Sequence, residues 1–77
     1  MLHIVYLRPD GMLLTKKDYR TWRDIQDEYD EYMVSLGPRD MEEVIDFIRT
    51  EYPGSPPFTE DEIRQFVKSD EIVLYAP

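Results

Sequence analysis

The N-terminal apolar segment follows a strand pattern. Residues 2–8 are rich in β-branched and aromatic residues and are apolar at odd and even positions alike, which is typical of a strand covered on both faces. The tetrapeptide Arg8-Pro9-Asp10-Gly11 contains the residue types of a tight turn, and residues 12–14 resume the apolar pattern. The sequence therefore predicts a β-hairpin over residues 2–14.

The next segment has helical periodicity. Apolar residues recur there at three- and four-residue spacing, at Tyr19, Trp22, Ile25, Tyr29, Tyr32, Met33 and Leu36. On a helix these positions form one stripe about 140° wide. Thr15 and Asp18 have the spacing of a capping box, and Gly37-Pro38 is typical of a helix end. We therefore expect a helix of about five turns between Thr15 and Gly37, with Trp22 in the core.

Two further helices are predicted by capping boxes. Asp40 and Glu43 form the first box, which opens a helix of about residues 41–52. Thr59 and Glu62 form the second box, which opens a helix of about residues 60–68. The segment Pro53-Gly54-Ser55-Pro56-Pro57 between them cannot be helical. Phe58 and Ile63 flank the second box at the positions of a hydrophobic staple.

The last apolar segment predicts a strand over residues 71–75. Because it is apolar on both faces, we expect it to pair with residues 2–7 in one sheet. The element order is then ββαααβ, which indicates an α+β fold with helices packed on a short, mostly antiparallel sheet. The length of 77 residues fits a single domain over residues 1–77.

Composition narrows the class of partner. The chain has 17 acidic and 9 basic residues, a formal net charge of −8, so we expect it to bind neither nucleic acid nor a membrane directly.

Val, Ile, Leu and Phe make up about a quarter of the residues, more than the roughly 20% below which a charged chain stays disordered. The absence of cysteine and of a signal-peptide pattern predicts a soluble, cytoplasmic protein.

No group of residues predicts catalysis. His3, the only histidine, lies in an apolar strand, and the three glycines belong to turns or helix ends rather than to a phosphate-binding loop. We therefore expect no enzyme and no cofactor. A cation site built from Asp24, Asp27, Glu28 and Glu31 is an outside alternative, but the looped calcium-binding pattern is absent.

The charge is strongly polarised along the chain. Residues 1–23 have a net charge of +3 and residues 24–77 have a net charge of −11. The segment 24–32 contains five carboxylates and no base. On the predicted helix, four of these carboxylates span about 10.5 Å, a length in which duplex DNA carries roughly six charges.

We therefore predict an acidic partner-binding surface. Its residues are Asp24, Asp27, Glu28, Asp30 and Glu31 on the first helix, together with Glu42, Glu43 and Asp46 on the second. Phe47 and Phe58 are predicted as exposed apolar contacts beside it. The basic residues Lys16, Lys17, Arg20 and Arg23 either pair with acids of the later helices or form a second contact patch.

In size, charge and lack of catalytic groups, the chain resembles the small acidic inhibitors of bacteriophages and mobile elements, which include anti-CRISPR proteins and other DNA mimics. The resemblance implies a stoichiometric inhibitor that blocks the basic groove of a nucleic-acid-binding protein. The alternative is a small structural or regulatory subunit, monomeric or homodimeric, that binds a partner or itself through apolar contacts.

Overall fold

The computed structural model describes residues 1–77 and contains four strands and three helices. In chain order they are β1 (Leu2–Leu7), β2 (Gly11–Thr15), α1 (Trp22–Glu28), β3 (Tyr32–Arg39), α2 (Met41–Glu51), α3 (Glu60–Lys68) and β4 (Val73–Tyr75). All strand pairs are antiparallel, and the strand order in the sheet is β3-β1-β2-β4. The predicted α+β class with an antiparallel sheet is confirmed, but the order is ββαβααβ, because β3 adds a strand that the predicted order ββαααβ lacks.

The N-terminal hairpin is confirmed. β1 and β2 pair in one continuous register from His3 opposite Thr15 to Leu7 opposite Gly11. The turn between them contains a cis peptide bond between Arg8 and Pro9.

The prediction of one long helix before Gly37 is wrong. Only Trp22–Glu28 is helical, and Tyr32–Arg39 forms strand β3 beside β1. The Thr15 hydroxyl closes no capping box; Thr15 ends β2, and its oxygen accepts a hydrogen bond from the Lys17 amide at 3.1 Å. The physical reason is that β2 pairs with only one edge of β1, so the backbone groups along the other edge of this buried strand need hydrogen-bond partners, which β3 provides.

The C-terminal strand is confirmed, but its predicted partner is wrong. β4 pairs with β2, from Leu13 opposite Tyr75 to Thr15 opposite Val73. β1 already has β2 on one side and β3 on the other, so neither edge of β1 is open to the last strand.

Side chains on both faces of the sheet are buried, as the apolar pattern of β1 predicts. On one face, α2 and α3 pack on the sheet through a core of Leu2, Ile4, Met12, Leu14, Val44, Ile45, Ile48, Phe58, Ile63 and Phe66. On the other face, α1 packs through a smaller core of Val5, Leu13, Ile25 and Tyr32. Successive strand residues point to opposite faces, so α1 and α2 lie on opposite sides of the sheet.

Both later helices begin at the predicted capping boxes. Asp40 accepts from the Glu43 amide at 2.8 Å, and Glu43 accepts from the Asp40 amide at 3.1 Å. Thr59 and Glu62 form the same reciprocal pair at the start of α3. The longest helix, α2, has 11 residues, and no helix has the length and hydropathy needed to cross a bilayer.

Candidate functional site

Helix α1 carries the first acidic residues of the predicted surface. The Thr21 hydroxyl caps it by accepting from the Arg23 amide at 3.2 Å, and the buried Ile25 holds it against the sheet. The side chains of Asp24, Asp27 and Glu28 are exposed on α1, whereas Asp30 and Glu31 lie in the turn that leads to β3. The predicted ridge of four carboxylates along one helix is therefore wrong, because α1 ends before its fourth member, Glu31.

Glu28 is bound by residues of its own chain. Its carboxylate forms an ion pair with Lys17 and accepts a hydrogen bond from the Tyr19 hydroxyl at 2.6 Å. The hydrogen bond from Lys17 is the largest cause that lowers the pKa of Glu28, followed by the one from Tyr19. Burial and the bond to Glu28 raise the pKa of Tyr19. Asp24 also has a local contact, since it accepts from the Arg20 amide at 3.2 Å.

Three acids of the same region have no partner within the molecule. The side chains of Asp27, Asp30 and Glu31 are exposed and form neither an ion pair nor a side-chain hydrogen bond. We call these three residues the acidic turn. They lie near the C-terminal end of α1, where no basic residue balances the negative end of the helix dipole.

The acids of α2 belong to a different surface. Glu42 pairs with Arg64 at 2.9 Å, Asp46 lies 3.9 Å from Arg49, and Glu43 is held in the cap of α2. These residues lie on the opposite side of the sheet from α1. The structure therefore does not bring the eight predicted partner-binding residues together on one surface.

The two phenylalanines differ in exposure. The prediction that Phe58 is an exposed contact is wrong, because Phe58 is 1% exposed and packs in the core beside Ile63. The staple position before α3 explains this burial. Phe47 is half-buried, and the Arg39 guanidinium lies 5.5 Å from its ring centroid.

The basic residues before α1 are dispersed rather than clustered on a helix face. Lys17 pairs with Glu28, and Lys16 donates to the Ser69 carbonyl at 2.7 Å while lying over the Phe66 ring. Arg23 lies over the ring of Trp22, with its guanidinium carbon 5.4 Å from the centroid. Lys17 therefore pairs within the molecule, as one of the two alternatives predicts. Its partner Glu28, however, lies on α1 and not on a later helix.

Trp22 is not a core residue, contrary to the helical pattern. Its side chain is 53% exposed and stacks on Tyr32, with ring centroids 6.5 Å apart and an interplanar angle of 17°. A cavity of about 240 Å³ lies beside it and is lined in part by His3 and Ser35. Burial is the main cause that lowers the pKa of His3. The Ser35 hydroxyl forms a hydrogen bond with the Tyr32 hydroxyl at 2.9 Å.

A groove of about 570 Å³ runs between α3 and β4. The side chains of Phe66 and Leu74, which pack in the core below, form its floor. The lining includes the carboxylates of Asp61, Glu62 and Glu71 and no basic residue. The sequence does not indicate this groove, because its apolar pattern predicts the last strand beside β1, whereas β4 lies at an edge of the sheet.

No three His, Cys, Asp or Glu residues lie close enough together to hold a metal ion. No protein-family model, curated protein or solved structure matches this chain.

Proposed function

We propose that this chain is a small acidic binding protein that docks on a basic, nucleic-acid-handling surface of a partner protein and thereby blocks it. One observation carries the proposal. Only four of the 17 carboxylates, Glu28, Glu42, Asp46 and Glu60, form an ion pair with a basic side chain of the molecule. The remaining carboxylates are not neutralised by a basic side chain of the molecule, so their negative charge can act on a partner.

The acidic turn is the centre of the proposed contact. Its three carboxylates are exposed and unpaired, so binding a basic surface breaks no internal ion pair. Asp24 and Glu28 on α1 lie beside it, whereas the acids of α2 face the opposite side of the sheet. A partner that releases counterions when it binds phosphates gains similarly when it binds these carboxylates.

This function predicts fast, salt-dependent association, because complementary charges steer the encounter and salt screens them. The reducing cytoplasm suits a chain without cysteine. For a phage-encoded inhibitor this is the cytoplasm of the host cell.

The test begins with capture of partners from host lysate at two ionic strengths and their identification by mass spectrometry. With the purified partner, Asp27→Lys combined with Glu31→Lys should weaken binding at least tenfold and flatten its salt dependence. Asp18→Lys combined with Glu51→Lys is the matched control, since both residues are exposed acids without an ionic partner. An unchanged affinity and salt slope in the first variant, or a partner that does not bind nucleic acid, contradicts the proposal.

A second function is favoured by exposed apolar side chains near β3. Trp22, Met33 and Val34 are each about half exposed, and such residues suit an interface with a partner subunit or a second copy. In that case Met33→Ser should weaken association while salt has little effect. Sedimentation of the free protein over a concentration series distinguishes a homodimer from a monomer.

A further inference from the structure

We propose that the groove between α3 and β4 binds an extended, lysine- or arginine-rich segment of a partner protein, which adds to the sheet as a strand beside β4. This inference goes beyond the proposed function. It concerns the α3 side of the sheet, whereas the acidic turn lies on the α1 side. The two proposals can therefore fail independently.

The outer edge of β4 has free backbone groups. Lys16 N–H donates to the Ile72 carbonyl and Ala76 N–H donates to the Met12 carbonyl, each at 2.9 Å. In an antiparallel pair, the groups of alternate residues point toward the partner strand. The N–H and C=O groups of Val73 and Tyr75 therefore point away from β2, and no strand lies beyond them. An added strand would pair with these groups.

The groove provides contacts for the side chains of such a strand. Every second side chain would point over the apolar floor formed by Phe66 and Leu74. The carboxylates of Asp61 and Glu71 line the groove, are exposed, and have no ion pair or side-chain hydrogen bond. The lining residues include three acids and no base, and the nearby Lys16 ammonium is already held by the Ser69 carbonyl and the Phe66 ring. Charge complementarity therefore favours a cationic segment over an acidic one.

The other edge of the sheet is less suited to strand addition. β3 contains Pro38, which lacks an N–H donor, and its pairing with β1 is irregular between Tyr6 and Leu7. Such features protect an edge strand from further pairing. β4 has neither proline nor a register shift, although its three residues offer only a short ladder. The carboxylates of Asp61 and Glu71 must therefore contribute much of the binding affinity.

The experiment titrates the isotope-labelled full chain with an acetylated, amidated eight-residue peptide that alternates Lys and Val, monitored by amide NMR shifts. The expected shifts lie in β4 and the first turn of α3, with slower hydrogen exchange at Val73 and Tyr75. Asp61→Asn combined with Glu71→Gln should weaken peptide binding at least fivefold. Asp18→Asn combined with Glu51→Gln, which changes the net charge equally, should change it less than twofold.

Tyr75→Pro tests the strand addition itself. This substitution removes an outward-pointing N–H and leaves the inward groups of Leu74 and Ala76 in place, so the chain should fold and lose most of the peptide affinity. Shifts centred on the acidic turn or on β3 overturn the proposal, as does equal binding of a peptide that alternates Glu and Val. Self-association of the free chain that depends on Asp61 and Glu71 also overturns it, because the occupant is then a second copy.

Discussion

The ammonium group of Lys17 forms an ion pair with the carboxylate of Glu28, 11 residues further along the chain. On a single helix through both residues, they would lie about 16.5 Å apart along the axis. They meet because the chain leaves β2, turns, and enters α1 only after the cap at Thr21. The pair thus depends on the end of β2 at Thr15 and the start of α1 at Trp22.

Replacement of Glu28 by Gln should reduce stability modestly. We expect a loss of about 0.5–1 kcal/mol at pH 7, because the ion pair remains in contact with solvent, with the Lys17 and Glu28 side chains 53% and 31% exposed. The pKa of Glu28 is lowered in the folded state, so the contribution is present above the unfolded pKa of about 4.3 and disappears as pH falls through the folded value. Urea unfolding of the wild-type chain and the variant at pH 7 and pH 3 measures this contribution to stability. Asp27→Asn, which removes no partner, is the control, and an equal loss in both variants contradicts the prediction.

Gly37 should not tolerate a side chain. Its φ is +135°, and an added Cβ would lie 2.7 Å from the Leu2 carbonyl oxygen. We expect Gly37→Ala to cost about 2 kcal/mol or more, measured by thermal or urea unfolding. At Gly54 an added Cβ meets no atom within 4 Å and φ is not positive. Gly54→Ala should be neutral or slightly stabilising, and similar effects at the two positions would contradict the structure.

His3 should make the fold sensitive to mild acid. Burial first, and then the N-terminal ammonium, lower the pKa of His3, while Asp18 partly opposes them. The unfolded chain therefore binds the proton more readily, so stability is retained above pH 6.5 and lost as pH falls below it, at up to about 1.4 kcal/mol per pH unit. His3→Gln should remove this dependence between pH 7.5 and 5 in urea unfolding. An NMR titration that gives His3 a pKa above 6.5 would contradict it.

Replacement of Phe58 by Ala should reduce stability much more than replacement of Phe47 by Ala. Phe58 is 1% exposed in the core between α2, α3 and the sheet, so Phe58→Ala should cost about 3–5 kcal/mol. Phe47 is half-buried under Arg39, and we expect a smaller loss for Phe47→Ala. Unfolding in urea checks both variants, and a larger loss at Phe47 would be inconsistent with the packing.

The candidate site was predictable only in part. Composition showed that acids outnumber bases, and the density of charge in residues 24–32 indicated the region of the acidic turn. The separation of α1 from α2 by the sheet, the pairing of Glu42 with Arg64, and the groove beside β4 all depend on contacts between residues distant in sequence. No local pattern contains that information.

The sequence by itself determined the hairpin over β1 and β2, the caps at Asp40 and Thr59, and the helices that follow them, because each depends on residues a few positions apart. Tertiary structure decided the state of residues 29–39. Their apolar spacing suits a helix, but β1 has an open edge whose backbone groups need hydrogen bonds. Pairing with that edge satisfies these groups, whereas a helix in the same segment would leave them without a partner.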